Sequence, residues 1–275
     1  MRKIKRRLPK PYYETSLGKL YHGDCIDIIP YLPKINLVIT SPPYDNLRDY
    51  KGYNFNFKKI ANLVYKKVKY GGVIIWVVGD AVINNSETGT SFKQALYFKR
   101  LGLNLHDTMI YAKNSAPQPS VNRYEQVIEY MFVLSKGIPK TVNLIKDKPN
   151  KNVGVSKITT HRQKDGSMKS RRNKPIQAFG IRENIWRYST GMNMTTKDKI
   201  AYQHPAIFPE KLVQDHIISW SNEGNLVLDP MCGSGTTLKI AELLNRRWIG
   251  IEESKKYCDI IVKRIQEYSK ISYLF

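Results

Sequence analysis

Cysteine, long apolar runs and acidic side chains are all scarce in this chain, and each shortage excludes a class of protein. The 275 residues hold three cysteines, Cys25, Cys232 and Cys258. An odd number spread this widely suits neither a disulfide framework nor a zinc site, so no metal is expected, and it fits a reducing cytosol. No run of eighteen apolar residues occurs, so no membrane-spanning helix is expected. The basic start, 1–10, leads into Pro11-Tyr12-Tyr13 and not into the apolar core of a secretion signal. Asp and Glu number 23 against 45 Lys and Arg, a formal charge of +22. The simplest partner for that excess is a polyanion, with nucleic acid foremost. A lysine-rich composition without such a partner is the alternative.

A hydrophobic fraction of 41% is enough for one large core, or for a core that carries an insertion. Residues 1–16 read as a basic arm, and 17–135 and 200–275 read as two halves of one core. Both halves alternate strand and helix. Strands are expected at Asn36–Thr40, Val73–Val78, Leu226–Leu228 and Trp248–Ile251, and helices at Phe57–Lys69, Ser91–Leu101, Leu238–Leu244 and Ser254–Tyr268. Gly71-Gly72 is expected to stop the first of these helices, and Pro209 to occupy the first position of another. Leu103–Tyr111 and Val127–Leu134 read as two strands paired antiparallel at one edge. This alternation predicts an α/β fold with a doubly wound, mostly parallel, Rossmann-like sheet. Between the halves, 136–199 holds sixteen Lys and Arg against four Asp and Glu. Its interleaved Ile176, Phe179, Ile181, Ile185, Trp186 and Tyr188 are too many for a disordered linker, so it reads as a small basic insert facing nucleic acid.

Thr40-Ser41-Pro42-Pro43-Tyr44 closes the Asn36–Thr40 strand. Two prolines cannot continue a ladder, so the chain leaves the sheet at its C-terminal edge, where open α/β sheets hold ligands. The turn offers a hydroxyl (Ser41), a free backbone carbonyl (Pro42) and an aromatic ring (Tyr44), a set suited to a planar group bearing an amine. A proline-rich turn with a packing tyrosine is the other reading. A second stretch, Asp229-Pro230-Met231-Cys232-Gly233-Ser234-Gly235-Thr236-Thr237, follows a strand and opens a helix, with Glu252 at the tip of the next strand. That is a nucleoside-binding βαβ unit, with Glu252 placed to accept both ribose hydroxyls. It lacks the third glycine of the dinucleotide fingerprint and the Gly-Lys-Ser/Thr of a P-loop. Asp229 is expected at the mouth of the loop, where it repels a pyrophosphate and attracts a cation. S-adenosylmethionine, with ribose hydroxyls, an ammonium, a sulfonium and no phosphate, fits.

The chain resembles the β-class amino-methyltransferases of DNA across nearly its whole length outside the insert. The Ser-Pro-Pro-Tyr motif, a middle recognition region and a late glycine loop come in that family's order. The resemblance implies a catalytic Ser41-Pro42-Pro43-Tyr44 in the first half of the core and a target-recognition role for 136–199. It also implies a cofactor site for S-adenosyl-L-methionine in the second half, formed by Asp229, Pro230, Cys232, Gly233, Ser234, Gly235, Thr236 and Glu252. Asp24 and Cys25 of the His22-Gly23-Asp24 segment join at the adenine, and Phe208 of the His204–Phe208 segment flanks the cofactor. DNA contacts are expected from Arg48 and Lys51 after Tyr44, and from Arg162, Lys169, Arg171, Arg172 and Lys174 in the insert. The reaction implied is methyl transfer to the exocyclic amine of a base flipped out of double-stranded DNA.

Transfer to cytosine C5 is excluded, because by the same resemblance it needs a cysteine after a proline, and none of the three is so placed. Ser41 favours cytosine N4 by family tendency, and adenine N6 remains open. So do an RNA substrate and a nucleic-acid-binding protein that keeps the pocket without turning over. The family further implies a prokaryotic or phage-encoded cytoplasmic enzyme, monomer or homodimer, in a restriction-modification or related system with an endonuclease acting separately.

Overall fold

Strands buried on both faces carry continuous apolar runs, and here those runs build the middle of a wide sheet. The computed structural model describes residues 7–43, 55–114 and 122–272, with side chains to 267. In chain order the strands are β1 (Tyr13–Glu14), β2 (Gly18–His22), β3 (Ile35–Thr40), β4 (Val68–Val78), β5 (Val82–Ile83), β6 (Ser86–Glu87), β7 (Asn104–Ala112) and β8 (Ile128–Ser135). There follow β9 (Lys146–Pro149), β10 (Ile158–Arg162), β11 (Met168–Arg172), β12 (Phe179–Ile181), β13 (Ile185–Arg187), β14 (Leu226–Asp229) and β15 (Arg247–Glu252). The α-helices are α1 (Cys25–Ile28), α2 (Phe57–Lys67), α3 (Thr90–Arg100), α4 (Glu210–Trp220), α5 (Thr236–Leu243) and α6 (Lys255–Ser272).

Nine strands form one sheet in the order β1-β2-β15-β14-β3-β4-β8-β7-β13. From β2 to β4 neighbours run parallel; β8 is antiparallel to both β4 and β7. After β3 the chain moves to β4 on one side, and after β14 it moves to β15 on the other. The order of strands therefore reverses between β3 and β14, which pair through Val227↔Leu37 and Leu228↔Val38. A crevice opens at such a switch point, outside the C-terminal ends of the strands. This topology brings together the two loops that sequence places far apart.

The chain divides into two compact units, one of residues 1–143 with 185–275 and the other Leu144–Asn184. The second is narrower than the 136–199 expected from charge, because Ile185–Arg187 pairs parallel to β7 as the edge of the main sheet. Trp186 is buried there, 4.6 Å from the His216 ring, and Tyr188 donates to Asp215 at 2.8 Å. The antiparallel pair β7–β8 therefore lies one strand inside the edge. Gly71-Gly72 does not stop α2, which ends at Lys67; β4 has already begun at Val68, and the glycines bend it where its register with β3 shifts. Pro209 caps α4 from just outside its first turn. Among the described residues, no helix is long and apolar enough to cross a membrane.

Candidate active site

Thr40 is the last residue of β3, and Ser41-Pro42-Pro43 leave the sheet at the switch point. On the adjacent strand, β14 ends at Asp229 and the chain turns through Pro230–Gly235 into α5. That turn needs its glycines. Gly233 has φ +52°, and a Cβ on it would come within 2.8 Å of His204 Nε2; Gly235 has φ +80°, and a Cβ would meet Ile261 at 2.7 Å. Both loops line one cleft of about 1790 Å³, ample for a nucleoside-sized ligand and a second planar group.

Glu252 closes the unit at the end of β15. Its Oε2 accepts from the Gly233 N–H and its Oε1 from the Ser254 N–H, both at 2.8 Å. Each oxygen keeps a lone pair for a further donor, an arrangement matched to the two hydroxyls of a ribose. Burial pushes this carboxyl up to about 7, against the two N–H bonds that favour the anion, with Asp229 and Glu253 adding to the rise. Gly23 N–H donates to the Glu252 carbonyl at 2.9 Å, which brings the end of β2 against the same strand end. Asp24 then caps α1, its Oδ1 accepting from Ile26 N–H at 2.7 Å, and its exposed carboxylate stands in the cleft wall beside Cys25.

Phe208, Pro230, Cys232, Gly233 and Ser234 also line the cleft. Asp229, Gly235 and Thr236 are not among its lining residues. Asp229 was expected at the mouth of the loop; instead it is 1% exposed, accepts from Met231 N–H at 3.2 Å and shapes the turn from beneath. Burial raises its carboxyl to about 6, and the Thr40 and Thr237 hydroxyls lie against it without closing a hydrogen bond of good geometry. Tyr44, Arg48 and Lys51 lie outside the described residues. Arg162, Lys169, Arg171, Arg172 and Lys174 lie in the second compact unit, all exposed.

Burial pushes the Cys25 and Cys258 thiols up to about 12 and Cys232 well above its ordinary value, so none is a thiolate near neutral pH. His204 packs its ring edge-on against Tyr257 at 4.4 Å, and its Nδ1 approaches the Ala206 carbonyl at 2.6 Å. It holds the Pro205–Phe208 wall in place.

One part of the site escapes the sequence reading. Arg264 of α6, 1% exposed, sends Nη1 to the Ser234 carbonyl at 2.7 Å, Nε to Asp198 at 2.9 Å and Nη2 to Glu210 at 2.7 Å. Lys239 of α5 meets the same two carboxylates at 2.8 and 2.9 Å. Burial alone would raise the Asp198 carboxyl, but the hydrogen bonds from Lys239 and Arg264 outweigh it and hold the group below its ordinary value. The quartet is neutral, and it ties the glycine loop to the strap before α4. The signal was present: Arg264 falls on the apolar stripe of its helix with Cys258, Ile261 and Ile265.

A doubly wound sheet with a proline loop and a glycine loop at its switch point defines a nucleoside-cofactor transferase of the Rossmann-like kind. The sequence model of the N6/N4 methyltransferases, described as DNA methylase, matches residues 35–263, and the chain belongs to that family, whose methyl donor is S-adenosylmethionine. It is 55% identical to the orphan methyltransferase M.BamHII of Bacillus amyloliquefaciens over 249 residues, covering 90% of this chain and 91% of that one. It is 26% identical to the type II methyltransferase M.ScaI of Streptomyces caespitosus, covering 96% and 86%. Among solved structures, the PvuII DNA methyltransferase (cytosine-N4-specific) shares the fold with a TM-score of 0.69 at 24% identity, covering 93% of this chain and 89% of that one.

Proposed function

We propose that the protein transfers a methyl group from S-adenosylmethionine to the exocyclic N4 amine of a cytosine flipped out of double-stranded DNA. The observation that carries this reading is the shared cleft: Ser41, Pro42 and Pro43 line it together with Gly233 and Glu252. An amine acceptor site and a ribose acceptor site thus open into one space. Glu252 takes the ribose hydroxyls, Gly233 leaves room for close approach, and Asp24 with Cys25 borders the adenine. Bound there, the cofactor supplies an electrophilic methyl on a sulfonium.

The chain's own residues do the rest. Ser41 Oγ and the Pro42 carbonyl accept the two amino protons, which draws the nitrogen lone pair out of conjugation with the ring. Tyr44, next in the chain after Pro43, stacks on the base. So aimed, the nitrogen would take the methyl group that the bound cofactor would supply, displacing its thioether, and one amino proton would leave by way of Ser41 to solvent. Catalysis of this kind is positioning with electrostatics and needs no strong base. Serine at position 41 supports cytosine N4 over adenine N6 by family tendency. Relatives described as type II methyltransferases support a role in restriction-modification, with any endonuclease acting separately.

The test is incubation with isotopically labelled S-adenosylmethionine and unmodified bacterial DNA, followed by mass spectrometry of the nucleosides. Labelled N4-methylcytosine is expected. N6-methyladenine would keep the mechanism and overturn the base, and cofactor binding with no label in DNA would leave a non-catalytic nucleic-acid-binding protein.

A further inference from the structure

Charge is sorted within the Leu144–Asn184 unit, which holds eleven Lys and Arg against three Asp and Glu. Two of the acids are held at the root, where β9 pairs with β12: Asp147 binds Arg182, and Glu183 binds Lys148. The third, Asp165, sits in the turn between β10 and β11 and accepts from Ser167 N–H at 2.9 Å and Ser167 Oγ at 2.7 Å. Among the described residues, no ion pair engages Arg162, Lys169, Arg171 or Arg172 on that ribbon.

The ribbon has two chemically different faces. Paired residues of an antiparallel ladder share a face, so Ile158↔Arg172, Thr160↔Ser170 and Arg162↔Met168 lie on one side, and Thr159↔Arg171 and His161↔Lys169 on the other. The first face repeats itself about the local two-fold axis through Thr160 and Ser170: Arg162 maps onto Arg172, and Ile158 onto Met168. Both apolar side chains are exposed among the described residues, 66% and 64%. Arginine, hydroxyl and apolar groups are the ones that read base edges: guanine O6 and N7, either base, and the thymine methyl. Lysine, a flexible point charge, lacks the planar fork that meets guanine bidentately but can still meet phosphate.

We propose that the Ile158-Thr160-Arg162 and Met168-Ser170-Arg172 face of this ribbon enters the DNA major groove, where Arg162 and Arg172 each read a guanine. The major groove admits a two-stranded ribbon. The two arginines stand four residues apart along the ribbon axis, roughly 13 Å, which spans about four base-pair steps. The recognition sequence therefore carries two guanine-dependent positions about four steps apart, with Thr160 and Ser170 tolerating either base between them. Lys169 and Arg171, on the other face, reach the flanking phosphates. This rests on the DNA methyltransferase reading above.

The experiment is methylation of a duplex library with randomised sequence, with the modified sites read at nucleotide resolution. It compares the unaltered protein with Arg162→Ala, Arg162→Lys, Arg172→Ala, Arg172→Lys and Lys169→Gln. Each alanine variant is expected to lose discrimination at one position by about ten- to a hundred-fold, the two positions lying about four apart. The lysine variants keep the charge but not the bidentate fork, so they relax the same positions while retaining the salt dependence of binding. Lys169→Gln weakens binding equally on all sequences and keeps the motif. Arginine variants that all preserve the parent motif would overturn the ribbon assignment alone. An unaltered protein that marks no DNA would overturn the functional reading, and this one with it.

Discussion

The cofactor side of the sheet and the 144–184 unit both gather charge, yet they use it in opposite ways. Around the glycine loop, two cations and two anions are enclosed and matched: Arg264 and Lys239 against Asp198 and Glu210. In the basic unit the acids are confined to the root and a turn, and the arginines of the ribbon stand in solvent. The first arrangement fixes backbone, because the Ser234 carbonyl is one of the six acceptors around the guanidinium. The second leaves its charge for a partner. A net charge of +22 thus says little about the enclosed site and much about the exposed unit.

Removing the enclosed cation should have the largest effect. Arg264→Met leaves Asp198 and Glu210 to share Lys239 and strands the Ser234 carbonyl. Because both carboxylates keep about a fifth of their surface, the cost falls near the low end for a broken buried pair, about 3 kcal/mol. For a chain of this length that lowers Tm by roughly 6–10 °C. A thermal melt reads it directly, and a shift of a degree or two would mean that the quartet does not set this side of the molecule apart.

Ser41→Ala comes next, and it acts on rate alone. Loss of one acceptor for the amino protons should lower kcat by about 10²-fold. The dissociation constant for S-adenosylmethionine should stay unchanged, since the proposed role of Ser41 is toward the base and not the cofactor. Single-turnover methylation and calorimetry separate the two. A parent rate for the variant would remove Ser41 from the mechanism.

Glu252 gives an effect near tenfold, with a sign that can be worked out. The form that accepts from two hydroxyls is the carboxylate, so cofactor affinity should rise with pH through about 7 and level off above it. Stability runs the other way. The folded state binds this proton more tightly than the unfolded chain, whose carboxyl titrates near 4.5, so the contribution is fully present below that value and lost as pH rises through about 7. Asp229 behaves alike between 3.8 and about 6. Calorimetry from pH 6 to pH 8 should show the inflection, and Glu252→Gln should abolish it.

Much of this was legible in sequence because strand, turn and helix each carry local rules. The Gly-Ser-Gly turn announces a positive φ, the double proline a chain leaving its sheet, and the apolar run of 73–78 a strand covered on both faces. What escaped depends on distant contacts. Three residues at 185–187 show no strand period; they pair with β7 because Trp186 finds cover against His216. Asp229 looked like a group at the mouth of a loop, and its burial follows from β3 and β14 lying side by side. The place of Arg264 on an apolar stripe marks it for burial, but its partners come from three other parts of the chain.

The smallest expected effect tests the exposed half of the contrast. Lys174 is exposed and follows the ribbon, so Lys174→Gln should change stability by less than about 0.5 kcal/mol. If it faces phosphate, the slope of log binding constant against log salt becomes shallower by about 0.9. That signature belongs to counterion release and not to folding, so it separates the two uses of charge cleanly. Arg264→Met should do the reverse, lowering the melting temperature and leaving the salt slope of DNA binding as it was. A crossed result, with Arg264→Met changing the slope or Lys174→Gln the melt, would mean that the enclosed and exposed charges act as one system.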